Sequence, residues 1–223
     1  PAPPTFVWAD ASGEGRSQVV WFRRELELAA AADEAWLHLF ADSRYLLFVN
    51  GAVVASGPAR FYPEHPEYDR VNLAPWLVAG RNTLAVQVLS YGTSSFQLRR
   101  TPGAFVTWGS VRAGGASHDL GTPGAWRCAR DGGHDASAPR LSFALPPIEV
   151  YDARKARVDF LGGEPAASGW SPPTPLAAPQ IWGELRPRSI PQLTAEWVAP
   201  KALRAAFALD DSEALLSFRV PVP

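Results

Sequence analysis

Residues 44–56 read RYLLFVNGAVVAS, two runs of β-branched and aromatic residues joined by Asn50-Gly51. Both central residues of a type I′ turn need positive φ, which Asn and Gly tolerate, so the stretch predicts a two-residue β-hairpin. The same reading extends outward. QVVWFRRELEL (residues 18–28) and NTLAVQVLSYG (residues 82–92) have strand composition. AWLHLFA puts Trp36, His38 and Phe40 on one face and Leu37, Leu39 and Ala41 on the other. A strand apolar on both faces is expected at the centre of a sheet, between layers. GAFVTWGSVRAGG and HDLGTPGAWRCAR continue the series, with Gly, Pro, Asn and Asp between the runs. Short strands at such spacing predict an all-β fold, an antiparallel β-sandwich or jelly roll.

Two stretches tempt a helical reading. DEAWLHLFA could open with a turn of helix over residues 30–34, and QLTAEWVAPKALRAAFAL (residues 192–209) is expected to include a short helix. ALLSFRVPVP reads as a last strand. Composition shifts near residue 163. Eight prolines fall between Gly163 and Pro200, which excludes a helix or a central strand. The expected organisation is a β-sandwich domain over residues 1–162. An extended Pro-rich C-terminal strap and terminal strand follow over residues 163–223, with Trp170, Ile181, Trp182 and Leu185 packing on the sandwich.

Composition limits the function classes. The chain has 223 residues, 47% hydrophobic, with a formal net charge of -1 and no dense Lys/Arg run. Nucleic acid and anionic membrane do not fit as partners, and no apolar run approaches the roughly 20 residues of a membrane helix. Cys128 is the single cysteine, so there is no intrachain disulfide, and it reads as an ordinary buried thiol. The chain has no Met and begins PAPPTFVW. That is expected of a processed product or a domain cut from a longer protein, and it leaves the compartment, secreted or cytoplasmic, open.

No phosphate-binding Gly loop, G-x-G-x-x-G, G-x-S-x-G or H-E-x-x-H is present. His38 reads as a core or face residue; His118 and His134, in Gly-rich stretches, read as surface groups. The densest polar constellation is GPARFYPEHPEYDRVNLAPWL, residues 57–77. Sugar sites combine aromatic faces with carboxylates and arginines that bond neighbouring hydroxyls. Arg60, Tyr62, His65, Glu67, Tyr68 and Asp69, together with Trp108, form the candidate sugar-binding set. The alternative is structural: Arg60 pairs with Asp69 or Glu67 to brace the loop. Trp108, Trp126, Trp170, Trp182 and Trp197 are weighed as stacking platforms and read first as core.

FADSRYLLFVNGAVVASGPAR followed by HPEYDRVNLAPWLVAGRNTLAVQVLSYG resembles the N-terminal β-sandwich module of bacterial α-L-rhamnosidases. The matching elements are Ala41-Asp42, Tyr45, Val49-Asn50-Gly51, Gly57-Pro58-Ala59-Arg60, Tyr68-Asp69, the turn from Leu77 to Asn82, and Leu84-Ala85-Val86. EVYDARKARVDF, GWSPPTPL and WGELRPRSIPQL resemble the later part of such modules, so the resemblance covers about residues 16–195. It implies a galactose-binding-like, jelly-roll accessory domain of a multidomain glycoside hydrolase. Its chemistry would sit in a separate helical barrel, so no catalytic residue is expected here. The implied partners are that catalytic domain and a carbohydrate, rhamnose or a related plant-type sugar. No cofactor is required. Some relatives bind rhamnose with the help of calcium, and no residue here is matched to such a site.

Overall fold

The computed structural model describes residues 5–157, 159, 169–178, 181–193, 199–208 and 214–219, with side chains up to residue 202. Backbone contacts divide the chain into two units, residues 1–189 and 190–223. The strands of the first unit are β1 (Val7–Trp8), β2 (Gln18–Leu28), β3 (Ala32–Asp42), β4 (Arg44–Val49), β5 (Ala52–Gly57) and β6 (Glu67–Asn72). They continue with β7 (Gly80–Ser90), β8 (Ala104–Ala113), β9 (Ala116–Asp119), β10 (Arg127–Arg130), β11 (Thr174–Pro175) and β12 (Arg186–Pro187). The second unit holds the antiparallel hairpin β13 (Ala202–Ala208) and β14 (Ala214–Arg219).

Two sheets make the first unit a β-sandwich. One has the order β11-β1-β8-β3-β6-β12 with β9 on β8; the other has the order β10-β2-β7-β4-β5. Their inner faces meet through Phe22 of β2 and Phe105 of β8, stacked with ring centroids 4.1 Å apart. Leu37, Leu39, Leu47, Leu84 and Val86 are fully buried around them, as alternation along each strand requires. Among the described residues no helix is long and apolar enough to cross a membrane.

The hairpin at residues 49–52 forms as its sequence demands: Asn50 has φ 50° and Gly51 φ 84°, and Val49 pairs with Ala52. Asn50 also anchors the tip. Its Nδ2 donates to the Trp76 carbonyl and to Asn82 Oδ1, both at 2.9 Å. The buried Asn82 in turn donates to the Val78 carbonyl at 2.7 Å and the Gly80 carbonyl at 2.9 Å. Polar side chains therefore replace a ladder where the hairpin meets the turn before β7.

Both helical expectations are corrected. Residues 32–42 are strand throughout, paired to β6 and β8, because the alternation that buries Leu37 and Leu39 between the sheets outweighs the short polar start. Ala202–Ala208 is also a strand, pairing residue by residue with β14. Alanine-rich helix propensity is a weak preference, and a strand partner overrides it. Residues 194–198 of that predicted helix, Trp197 included, lie outside the described residues.

The segment after residue 169 reaches both edges of the first sheet: β11 pairs with β1, and β12 runs parallel to β6. Between those edges Trp182 is buried against the outward side of β3. Its ring stacks on Phe6 at 5.0 Å and meets Phe40 edge-on at 6.4 Å, while Nε1 donates to Asp42 Oδ2 at 2.9 Å. Burial pushes the Asp42 carboxyl up, against the pull of this and neighbouring hydrogen bonds. Leu185 packs on the same core, whereas Ile181 is exposed and Trp170 donates to Asp159 Oδ2 at 2.6 Å.

Candidate functional site

The candidate sugar set separates into groups with different surroundings. Arg60, Tyr62 and His65 occupy the tip of the loop between β5 and β6. Tyr62 is 58% exposed, His65 is exposed, and the two are joined by a backbone hydrogen bond of 2.8 Å. Arg60 donates to the Phe96 carbonyl at 3.3 Å and does not brace Asp69. The loop tip thus presents a cation, a phenol and an imidazole to solvent without a wall behind them.

Glu67 and Asp69, a few residues on, hold the strap. Glu67 accepts from Ser189 N at 3.0 Å and from Ser189 Oγ at 2.6 Å. Asp69 is buried; it accepts from the Tyr45 hydroxyl, and the Arg188 guanidinium grips it through Nε and, at 3.2 Å, through Nη2. Burial and the Asp69 charge push the Tyr45 hydroxyl up, and the hydrogen bond from Arg188 to Asp69 raises the guanidinium further. A buried carboxyl group held at both oxygens by a hydroxyl and a guanidinium is a fixed structural anchor. Sequence reasoning met Tyr45 and the RPRS stretch only within the family resemblance and did not join them to Asp69, because Arg188 lies 119 residues away.

Tyr68 and Trp108 form a third group, on the outward side of the first sheet. There His38 lies parallel to the Trp108 indole, 5.1 Å between centroids at 8°, and meets Tyr68 edge-on at 5.5 Å. Tyr68 and Trp108 are 4.7 Å apart, and the Arg70 guanidinium sits 3.8 Å above the Trp36 ring. These side chains alternate with the buried residues of β3, β6 and β8, so the sheet register places them on one surface. Desolvation is the largest influence on His38 and pushes its imidazole down. The other end of the same surface is the part that Phe6, Phe61 and Trp182 cover. The open end joins flat rings to the guanidinium of Arg70, the two group types that hold a sugar's carbon-bound hydrogens and its hydroxyls.

Trp126 and Trp182 are core. Cys128 is buried, and desolvation raises its thiol, as for an inert structural cysteine. His118 lies in β9 rather than in a loop. His134 is not a plain surface group: its ring packs on Tyr151 at 4.7 Å between Asp131, 3.6 Å from Nδ1, and Glu149, 3.9 Å from Nε2. Among the described residues no three His, Cys, Asp or Glu side chains are grouped to hold a metal ion.

The chain superposes on a GH78 family rhamnosidase of Bacillus sp. GL1 with a TM-score of 0.78 and 33% identity, covering 91% of its own length and 21% of the rhamnosidase. The chain's β-sandwich is similar to about a fifth of that rhamnosidase. An α-L-rhamnosidase from Aspergillus terreus matches at TM-score 0.69 and 17% identity, with 96% of the module and 25% of that enzyme covered. A lectin from Pleurotus ostreatus, solved in complex with GalNAc, matches at TM-score 0.50 and 21% identity over 79% of the module and 44% of the lectin. The last two likenesses are likenesses of fold. The module spans only about a fifth to a quarter of the rhamnosidases it matches. No protein-family model and no curated protein matches the chain.

Proposed function

We propose that this module is a non-catalytic accessory domain of a larger α-L-rhamnosidase-like glycoside hydrolase, docked on the catalytic barrel of the same polypeptide. Residues 163–223 serve in this reading as the Pro-rich strap and terminal strand leading from the sandwich to the next domain. The observation that carries it is the 33% identity over nearly the whole module against a fifth of a rhamnosidase. A surface of suitable chemistry supports it. Phe96 and Phe143 meet edge-on at 5.3 Å and are 71% and 75% exposed, with Leu141 and Leu145 also exposed. Neighbouring exposed apolar side chains of this size mark interaction surfaces. Arg140 stiffens the patch, donating to the Leu145 carbonyl at 2.9 Å and to Thr93 Oγ1 at 3.0 Å.

The test is truncation and point substitution in the full-length protein. Removing the module, or replacing Phe96 and Phe143 with Ser, is expected to lower the melting temperature of the remaining enzyme. A truncated enzyme that keeps its stability and loses only capture of polymeric substrate would overturn docking as the main role. The second reading, a dedicated carbohydrate-binding module for rhamnose or a related plant-type sugar, is favoured by the open Tyr68–His38–Trp108 surface. Calorimetric titration of the module with rhamnose and rhamnosides tests it, with Trp108→Ala as the diagnostic variant.

A further inference from the structure

We infer that the catalytic-domain face packed on the Phe96–Phe143 patch is ringed by carboxylates, which pair with Arg16, Arg60 and Arg140 only in the docked state. The inference rests on the docking reading above and adds the chemistry of the partner. The patch is the loop over residues 91–100 laid against the segment 138–145. Phe96 N donates to the Ala144 carbonyl at 3.2 Å, and the two phenylalanine rings meet edge-on between the two stretches. Phe96, Leu141, Phe143 and Leu145 are all exposed.

Guanidiniums surround that apolar centre. Arg60 donates to the Phe96 carbonyl at 3.3 Å, and Arg140 donates to the Phe143 and Leu145 carbonyls and to Thr93 Oγ1. The exposed Arg16 donates to the Ala138 carbonyl at 2.7 Å. Arg99 and Arg100, within the loop itself, are taken by Glu64 and Glu14. Arg16, Arg60 and Arg140 thus rest on carbonyls and a hydroxyl, with no carboxylate partner among the described residues. Asp135, just before the segment, accepts from Ser137 N at 2.8 Å and Ser137 Oγ at 2.7 Å. Glu149, just after it, stands 3.9 Å from His134 Nε2. A carbonyl fixes a guanidinium without cancelling its charge, and the remaining N–H donors can still take a carboxylate side by side.

The arrangement selects the partner's chemistry. The chain as a whole has a formal net charge of -1, so the cations at this patch are a local feature rather than a general basic character. Aromatic rings with arginines beside them are the composition of protein interfaces. A facing surface without carboxylates would desolvate three cations and leave them unpaired, which opposes docking. An anionic membrane is a poorer match, because it is recognised by dense clusters of Lys and Arg, whereas Arg16, Arg60 and Arg140 come singly from distant parts of the sequence. A catalytic domain on the same polypeptide also binds at a high effective concentration, so modest rim pairs are enough to decide its orientation.

The experiment compares melting of the full-length protein with melting of the 223-residue chain, at about 0.05 M and about 0.5 M NaCl. Two double variants are used, Arg16→Glu with Arg60→Glu, and Phe96→Ser with Phe143→Ser; Arg140 is left in place because it holds the loop. At low salt the charge reversal should lower the full-length melting temperature by about 3 °C or more beyond its effect on the chain alone. About half of that excess or more should disappear at high salt, as screening of rim charges requires. An excess loss with the serine variant and none with the glutamate variant overturns the acidic partner and leaves docking standing. No excess loss with either variant overturns docking through this patch and the acidic partner together. Equal losses in the chain and the full-length protein reduce the arginines to loop braces and overturn the inference. Sedimentation of the 223-residue chain with phosphatidylserine vesicles, abolished by the charge reversal, would assign the arginines to a lipid surface and overturn it as well.

Discussion

Residues 60–65, in the loop before β6, and residues 67–69, which open β6, are neighbours in sequence and draw on the same polar and aromatic residue types, yet they do opposite things. Arg60, Tyr62 and His65 stand at the solvent with weak holds on the rest of the molecule. Glu67 and Asp69 are closed off by Ser189 and Arg188 of the strap. The difference teaches that a polar residue's role here follows from what the distant chain lays against it. A similar division runs across the outward side of the first sheet. Trp182 and Phe6 cover Phe40 at one end, and Tyr68, His38 and Trp108 are left partly open at the other.

The largest effect is expected at Asp69. Asp69→Ala strands the partly buried Arg188 guanidinium beside the buried Tyr45 hydroxyl and should cost about 3–5 kcal/mol in denaturant unfolding. Arg60→Ala, at the tip of the same loop, should stay within about 0.5 kcal/mol, as exposed substitutions do. Equal losses at the two positions would break the contrast between tip and root.

Trp182→Ala should follow at about 3–5 kcal/mol, since it opens a cavity over Phe40 and leaves Asp42 without its indole donor. Trp108→Ala on the open part of the same surface should lose only its ring contacts, about 0.5–1.5 kcal/mol per pair. Melting curves of the two variants side by side decide whether the strap or the rings hold that surface.

A smaller effect concerns pH. Burial lowers the folded-state affinity of His38 for protons, so the unfolded chain takes up the proton first as pH falls through about 6.5. The contribution of His38 is therefore fully favourable above that pH and declines below it. His38→Phe should flatten the fall in unfolding free energy between about pH 7 and about pH 5; identical profiles for both proteins would show that the imidazole is as well solvated as in the unfolded chain. The smallest expected change is at Asp42, whose carboxyl is pushed up by burial. Asp42→Asn keeps an acceptor for Trp182 and removes a charge disfavoured above about pH 4, so stability at neutral pH should be unchanged or slightly raised in thermal melts.

Local chemistry determined a good deal by itself. The Asn50-Gly51 turn, the alternation of Leu37 and Leu39 against His38 and Phe40, and the Gly- and Pro-rich connections specify strands, and apolar strand faces must pack against another layer. Local chemistry was misleading at Ala202–Ala208, where helix-favouring residues are held in a hairpin by β14. Tertiary structure alone decided which polar residues are available. Asp69 is taken by an arginine 119 residues away, and Arg16 and Arg60 reach the Phe96–Phe143 patch from separate parts of the chain. The physical reason is range: turn and strand preferences act between residues a few positions apart, whereas burial and hydrogen-bond partners are set by whichever segments the fold brings into contact.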